Sequence, residues 1–183
     1  NYTAADWLYH TAPGSSTKAV SATEPNGALV LTNAAADNDA IYSAASNDGG
    51  TTHATHFTPA FGKQLVYQTR AKFSDGSAGV LQLDLTFGLA VSDTTPIASL
   101  SNGLYFYRAD SSGDAGIRGR AAGGSAAGAG AYRDLLVYNT YATFTMFYNG
   151  KGSASSSEHC IFWYVNNTLI HSAAGSALPL VPI

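Results

Sequence analysis

Apolar and polar residues alternate without exception over segment 81–91, LQLDLTFGLAV. Successive side chains of a β-strand point to opposite faces, so this pattern predicts a long strand with one buried face. Burial of one face only is typical of antiparallel sheets. The sequence therefore predicts an all-β fold, an antiparallel β-sandwich of the concanavalin A-like jelly-roll type. The residues expected in its shared core are Leu81, Leu83, Leu85, Phe87, Leu89, Leu65, Tyr67 and Phe73.

Other strand patterns recur along the chain between short runs of Gly, Asn, Asp and Ser, which is the spacing of a sandwich. Asn166 and Asn167 predict a two-residue hairpin turn, because Asn tolerates a positive φ. The segment 121–131, AAGGSAAGAGA, offers nothing to bury and is predicted to be a mobile loop. The predicted strands are 28–32, 40–44, 52–57, 64–73, 80–91, 103–108, 117–121, 132–138, 142–148, 159–165 and 168–172.

Length and composition narrow the class of protein. The chain has 183 residues, of which 45% are hydrophobic, enough for one core. We expect a single jelly-roll domain over 1–183 with its core in 28–172, and because the chain starts at Asn1 without Met, we expect both termini to be truncated. Only 11% of residues are charged, against about 25% in an average domain. Such a surface suits a protein that packs against others, although a secreted β-protein with a neutral surface would look the same.

The sequence argues against two classes of partner, nucleic acid by its charge and membrane by its hydropathy. The net charge is −3 and no basic run is present, so the sequence gives no electrostatic basis for nucleic-acid binding. No apolar run approaches twenty residues, and membrane insertion is not expected. We therefore expect neither nucleic acid nor membrane as a partner.

Few residues could carry catalysis. Glycoside hydrolysis, a common activity of jelly rolls, needs two carboxylates facing one sugar ring. Glu24 and Glu158 lie in turn or loop segments, and Asp84 stands alone on its predicted strand. Cys160 is the single cysteine and lies in a strand pattern, where a thiol is usually a small buried hydrophobe. The sequence predicts no catalytic residue, and hence no enzyme.

Two short motifs contain residue types that bind metals. His53 and His56 are three residues apart, a spacing that places them on opposite faces of a strand. Asp37, Asn38 and Asp39 could supply oxygen ligands for Ca²⁺, but an Asx turn before the next strand is the commoner use of such residues. We therefore expect no metal and no cofactor.

Several strands are apolar on both faces, which leaves two explanations. Such a strand is either covered by a loop of its own chain or lies at an interface, and the sequence does not decide between them. The apolar C-terminal segment LPLVPI contains two prolines that keep it out of a central strand, and we expect it to dock on a neighbour as an extended arm. The interface hypothesis comprises Tyr105, Tyr107, Phe162, Tyr164, Leu178, Leu180 and Ile183.

The order of several motifs resembles that of a group of tailed-bacteriophage structural proteins with a concanavalin A/laminin-G-like jelly roll. The motifs are LVLTNAAADNDAIYSA, FTPAFGKQLVYQTRAKFSD, VLQLDLTFGLAVSDTTPIASLSNGLYFYRADSSG, FTMFYNGKGS and IFWYVNNTLI, which span most of residues 28–172. The GLAVSDTTP block is the most specific part. The chain departs from the group at Asn167, where Gly is usual, and in its long Gly/Ala segment.

The resemblance implies a virion component, most simply a capsid decoration or cement protein that stabilises the head. Its partners would be the major capsid protein and copies of itself, as a homo-oligomer such as a trimer. It would be made in the host cytoplasm and reside on the capsid surface. The alternative is a carbohydrate-binding, lectin-like module, since Tyr-rich faces also stack on sugars.

Overall fold

The computed structural model describes residues 7–11, 17–24, 27–32, 41–45, 58–74, 83–90, 100–108, 116–123, 128–131, 133 and 135–180. The chain divides into two compact units, Asn1–Ala54 and Thr55–Ile183, and each is described by itself. The described residues contain β-strands and a single 3₁₀ turn, and no α-helix. The fold is an all-β antiparallel sandwich, as the alternating pattern predicted.

The first unit contains two antiparallel strand pairs. Strand β1 (Trp7–Thr11) pairs with β4 (Ile41–Ala45), and β2 (Thr17–Val20) pairs with β3 (Leu29–Thr32). Sequence analysis missed β1 and β2, which are short and flanked by Ser, Thr and Gly. The predicted strand at 52–57 lies outside the described residues.

The second unit contains two four-stranded antiparallel sheets. Sheet I has the order β12-β11-β10-β5 and sheet II the order β6-β7-β8-β9. A 3₁₀ turn, Gly175–Ala177, follows the last strand. The strands are β5 (Leu65–Ala71), β6 (Leu85–Ala90), β7 (Gly103–Arg108), β8 (Arg118–Ala122), β9 (Gly128–Ala129), β10 (Ala142–Tyr148), β11 (His159–Val165) and β12 (Thr168–Ala174).

Aromatic rings from both sheets meet at the centre of the sandwich. Phe87 and Phe106 of sheet II stack with ring centroids 5.2 Å apart, and the edge of Phe144 from sheet I approaches them at 4.9 and 5.5 Å. Leu65, Tyr67, Phe73 and Leu89 pack against the same core. These contacts confirm most of the predicted core. Leu83 and Leu85 are half-buried, and Leu81 lies outside the described residues.

Two predicted elements differ in the structure. The strand expected at 80–91 is shorter, since β6 begins at Leu85 and ends at Ala90. Within the strand expected at 132–138, Arg133 forms an isolated bridge with Ile117, and residues 135–137 are not in a strand. Alternation fixes which side chains face the core, but it does not fix where backbone pairing ends.

The predicted mobile loop at 121–131 is partly a hairpin, because β8 extends to Ala122 and pairs with β9. Small residues are needed here for packing. A Cβ on Gly119 would lie 2.6 Å from the indole of Trp163, and one on Gly130 would lie 2.6 Å from the ring of His171. Glycine at these two positions therefore leaves room for the rings of Trp163 and His171 from sheet I.

The turn between β11 and β12 is the predicted two-residue hairpin. Asn166 and Asn167 have φ of 47° and 66°, as in a type I′ turn. The side-chain oxygen of Asn166 also accepts a hydrogen bond of 2.9 Å from the backbone N–H of Thr143.

The two turn residues are therefore not equivalent, and their glycine variants should differ. Asn167→Gly should leave the free energy of unfolding unchanged or raise it by a few tenths of a kcal/mol, since Gly adopts this φ freely. Asn166→Gly loses the bond to Thr143 and should cost about 1 kcal/mol. Urea denaturation of the two variants measures the difference. An equal effect of both would contradict the role given to the Asn166 side chain.

Candidate binding surface

The outward side of sheet I carries a partly exposed set of aromatic, aliphatic and neutral polar side chains, here called the aromatic face. It arises because β10, ATFTMFY, buries Ala142, Phe144, Met146 and Tyr148, so alternation turns the three residues between them outward. The aromatic face comprises Val66, Gln68, Thr145, Phe147, Phe162, Tyr164 and Leu169.

Strand register aligns these side chains in two rows. In the first row, Phe147 lies opposite both Val66 and Phe162. The rings of Phe147 and Phe162 stack with centroids 6.4 Å apart and an interplanar angle of 22°. Val66 is 62% exposed. This row places an apolar stripe across three strands.

The second row is mixed in character. Thr145 lies opposite Gln68 and Tyr164, and Tyr164 lies opposite Leu169. The Gln68 side-chain amide donates a 3.0 Å hydrogen bond to the Thr145 hydroxyl. A shallow depression of about 320 Å³ is lined by Gln68, Thr145, Phe147, Tyr164 and Asn167. Aromatic rings and neutral hydrogen-bonding groups therefore share one accessible surface.

Polar groups border the aromatic face at two points. The Nδ1 atom of His159 lies 2.7 Å from the Ser172 hydroxyl, and Ser172 is opposite Phe162. The second point is Tyr141, which directly precedes β10. The guanidinium of Arg70 lies 4.2 Å from its ring centroid, and the ammonium of Lys72 lies 5.1 Å from it. The two cations give this border a positive charge.

The predicted interface residues fall into different places. Phe162 and Tyr164 lie together on the aromatic face and are half-buried. Tyr105 and Tyr107 lie on the outward side of sheet II but are only 1% and 8% exposed, in a small cluster with Leu100, Ala90 and Ala122. For these two tyrosines, the chain itself covers the second face of the strand, which was the alternative explanation left open by the sequence.

The residues of the C-terminal segment also differ in their exposure to solvent. Leu178 is 2% exposed and belongs to the core, and Pro179 is buried beside it. Leu180 is 47% exposed, and Ile183 lies outside the described residues. The predicted docking arm thus begins as part of the chain's own core, and only Leu180 remains available as a described docking residue.

Sequence analysis missed Phe147, Val66 and Leu169. The signal for Phe147 was present, because it falls out of phase with Phe144, Met146 and Tyr148 in a strand that was predicted correctly. Val66 alternates in phase with Gln68, Arg70 and Lys72, and these three polar side chains predict a solvent-exposed face in which a single valine is not conspicuous. Leu169 faces Tyr164 only because the β11–β12 pairing shifts register, which sequence periodicity does not reveal.

The three carboxylates that the sequence offers for catalysis lie on different elements. Asp84 precedes β6 and Glu158 precedes β11, and both are exposed; Glu24 lies in the first unit. Cys160 is buried, and burial, followed by the nearby Glu158 carboxylate, raises the pKa of its thiol. A thiol with a raised pKa is a poor nucleophile at neutral pH.

The described residues form no cluster of metal ligands. Within the described ranges, no group of three or more His, Cys, Asp or Glu side chains is placed to hold a metal ion. Asp37, Asn38, Asp39, His53 and His56 lie outside the described residues, so the turn and edge-strand roles predicted for them stay predictions.

The imidazole of His171 in sheet I packs toward sheet II, where it lies over Gly130. Its ring stacks on Trp163 with centroids 5.0 Å apart. Its Nε2 atom is buried and has no hydrogen-bond partner among the described residues. Burial, followed by the neighbouring His159 imidazole, lowers the pKa of His171, so folding disfavours the protonated ring.

This burial makes stability fall in acid. The unfolded chain takes up a proton on His171 near pH 6.5, whereas the folded chain does so only at lower pH, so the free energy of unfolding decreases as pH falls below about 6.5. His171→Gln should reduce this decrease, and His159→Gln, at an exposed site, should retain most of it. Urea denaturation at pH 7.5 and pH 5 measures the effect. The same acid sensitivity in His171→Gln and in the wild type would contradict it.

Comparison of the chain with protein-family models, with curated proteins and with solved structures finds no match. In the part of the chain that the structure describes, no helix has the length and apolar character needed to span a membrane.

Proposed function

We propose that this chain is a structural protein of a tailed-phage virion, a capsid decoration protein that docks on the shell through the aromatic face of sheet I. It acts on the capsid surface, with the major capsid protein and further copies of itself as partners. The support is threefold: the order of motifs along the chain, the low content of charged residues, and the exposed aromatic face. No catalytic role, metal or cofactor is part of the proposal.

The aromatic face carries the proposal. It combines stacked Phe147 and Phe162 with Tyr164 and the exposed Val66 on one sheet, and none of its seven residues is charged. Protein interfaces concentrate aromatic residues at their centre and place charged residues at the rim. Arg70 and Lys72 beside Tyr141 fit such a rim. A sheet face with this distribution is suited to a protein partner.

The test is the double variant Phe162→Ala/Tyr164→Ala. Each aromatic residue at the centre of an interface commonly contributes about 2 kcal/mol to binding, so capsid binding should weaken by at least tenfold. Both side chains are only half-buried, and the variant should keep a cooperative unfolding transition. Val137→Ala is the matched control, because Val137 is 66% exposed and lies outside the aromatic face.

Binding is measured by sedimentation of the purified chain with particles that lack it. Retention of the double variant equal to that of Val137→Ala would overturn the role of the aromatic face. If the double variant fails to fold, Tyr164→Ser and Phe147→Ser tested singly provide the same comparison with smaller changes.

The depression at the second row supports one further candidate, glycan binding. Tyr164 and Phe147 offer rings for stacking, while Gln68, Thr145 and Asn167 offer neutral donors and acceptors. Such a combination is typical of small-ligand sites. Gln68→Ala separates the two functions, because it removes an amide that a sugar hydroxyl would need but little of the apolar area. Loss of glycan binding with capsid binding retained would assign this surface to a glycan as well.

A further inference from the structure

The imidazole of His171 lies against a short stretch of chain at the edge of sheet II, residues 128–131, here called the covering segment. The approach is close, because a Cβ on Gly130 would lie 2.6 Å from Cγ and 2.7 Å from Nδ1 of the imidazole. The same ring stacks on the indole of Trp163, with ring centroids 5.0 Å apart. The imidazole therefore joins the covering segment to the core of the sandwich.

This packing suits a neutral imidazole and not a charged one. The Nε2 atom of His171 is buried and has no hydrogen-bond partner among the described residues. A protonated imidazole carries an N–H on both nitrogens, so Nε2 becomes a donor without an acceptor, which is costly for a charged group. Stacking on the Trp163 indole favours the charged ring in part, but burial is the larger effect, and the pKa of His171 is lowered.

The groups around the imidazole add positive charge in acid. A shallow depression of about 290 Å³ is lined by Ala131, Arg133, Leu169, Ile170, His171 and Ser172, and none of the six is acidic. Arg133 brings a permanent positive charge, and His159 of β11 becomes a cation in acid and disfavours a second one. Glu158, which precedes β11, is exposed. Arg118 and Arg120 of β8 lie over the Tyr107 ring on the outward side of sheet II.

The covering segment is held more weakly than the strand beneath it. Strand β9 has only two residues, both exposed, and pairs with β8. The backbone N–H of Gly130 donates a 3.0 Å hydrogen bond to the carbonyl of Gly119. Strand β12, in contrast, pairs with β11 along seven residues. Local opening of a protein involves its least stable elements, so the covering segment is the part expected to move.

We propose that acid moves the covering segment away from β12 while the rest of the sandwich stays folded. The trigger is protonation of His171, because its charged ring reaches water once the covering segment has left. Ile170, which is buried and lines the same depression, is uncovered with it. The fold thus contains a pH-sensitive switch at one edge of sheet I. This switch is independent of the function proposed for the aromatic face, because the covering segment belongs to the other sheet.

The test is hydrogen exchange of the Gly130 backbone amide, measured by NMR at pH 7.5 and pH 5 and corrected for the intrinsic exchange rate at each pH. The protection factor should fall between about fivefold and thirtyfold in acid, the upper value being the limit for one proton taken up near pH 6.5 in the open state. This exchange should not change in 0.5 M urea, because a local opening exposes little surface.

Histidine variants identify the trigger. His171→Phe keeps a ring on Trp163 but does not titrate, so the protection of Gly130 should no longer depend on pH. His171→Gln provides the same comparison if His171→Phe does not fold. His159→Gln, at an exposed site, is the matched control and should keep most of the acid response. An unchanged acid response in the His171 variant would overturn the switch, as would exchange of Gly130 that rises steeply with urea, which indicates global unfolding.

Discussion

Replacement of Gly119 by valine should destabilise the second unit by about 3 kcal/mol. Gly119 is buried in β8, and a Cβ there would lie 2.6 Å from Cγ and Cδ2 of the Trp163 indole. Trp163 is fully buried and cannot move without opening the space between the two sheets. The loss should appear as a lower urea midpoint with an unchanged slope, because the folded state is strained while the surface exposed on unfolding is similar.

A double-mutant cycle shows whether the indole is the cause. In a Trp163→Leu background the smaller side chain leaves room for the added atoms, so Gly119→Val should destabilise by clearly less than it does in the wild type. An equal loss of stability in both backgrounds would contradict the contact between Gly119 and Trp163.

Truncation of Leu178 to alanine should cost about 2 to 5 kcal/mol, the usual range for a buried leucine. Leu178 is 2% exposed within the core cluster, and its backbone N–H donates a 3.1 Å hydrogen bond to the carbonyl of Gly175. Leu180, two residues further on, is 47% exposed. Leu180→Ala should therefore change stability by less than about 0.5 kcal/mol.

The two leucine variants separate the core role of this segment from its docking role. The sequence predicted an extended arm that docks on a neighbour, whereas the burial of Leu178 means that its loss affects folding itself. Thermal denaturation of both variants provides the comparison. Equal melting temperatures for Leu178→Ala and Leu180→Ala would contradict the placement of Leu178 in the core.

The sandwich was predictable because its core side chains follow an alternation that the sequence shows directly. Phe87 and Leu89 keep their predicted side through β6, and Asn166 and Asn167 form the predicted turn. The residues at which strands begin and end were harder to predict from the sequence. The Gly/Ala segment was predicted to be a mobile loop, and its packing role at Gly130 appears only when His171 from another strand is placed beside it.

The candidate surface was only partly predictable for a related reason. Tyr105 and Phe162 both lie on strands that are apolar on both faces, and periodicity cannot tell which second face the chain covers itself. The structure separates them, since Tyr105 is buried beneath its own chain and Phe162 stacks with Phe147 on an accessible sheet. The residues that contact Tyr105 and Phe162 come largely from other strands. A local sequence pattern does not encode such contacts.

The central claim is that this chain is a decoration protein on the outside of a phage shell. Quantitative mass spectrometry of intact purified virions, with the major capsid protein as internal standard, measures the number of copies per particle directly. The proposal predicts a stoichiometric copy number that is a multiple set by the icosahedral symmetry of the shell. The absence of the chain from intact virions, or its presence at a variable trace level, would contradict the proposal.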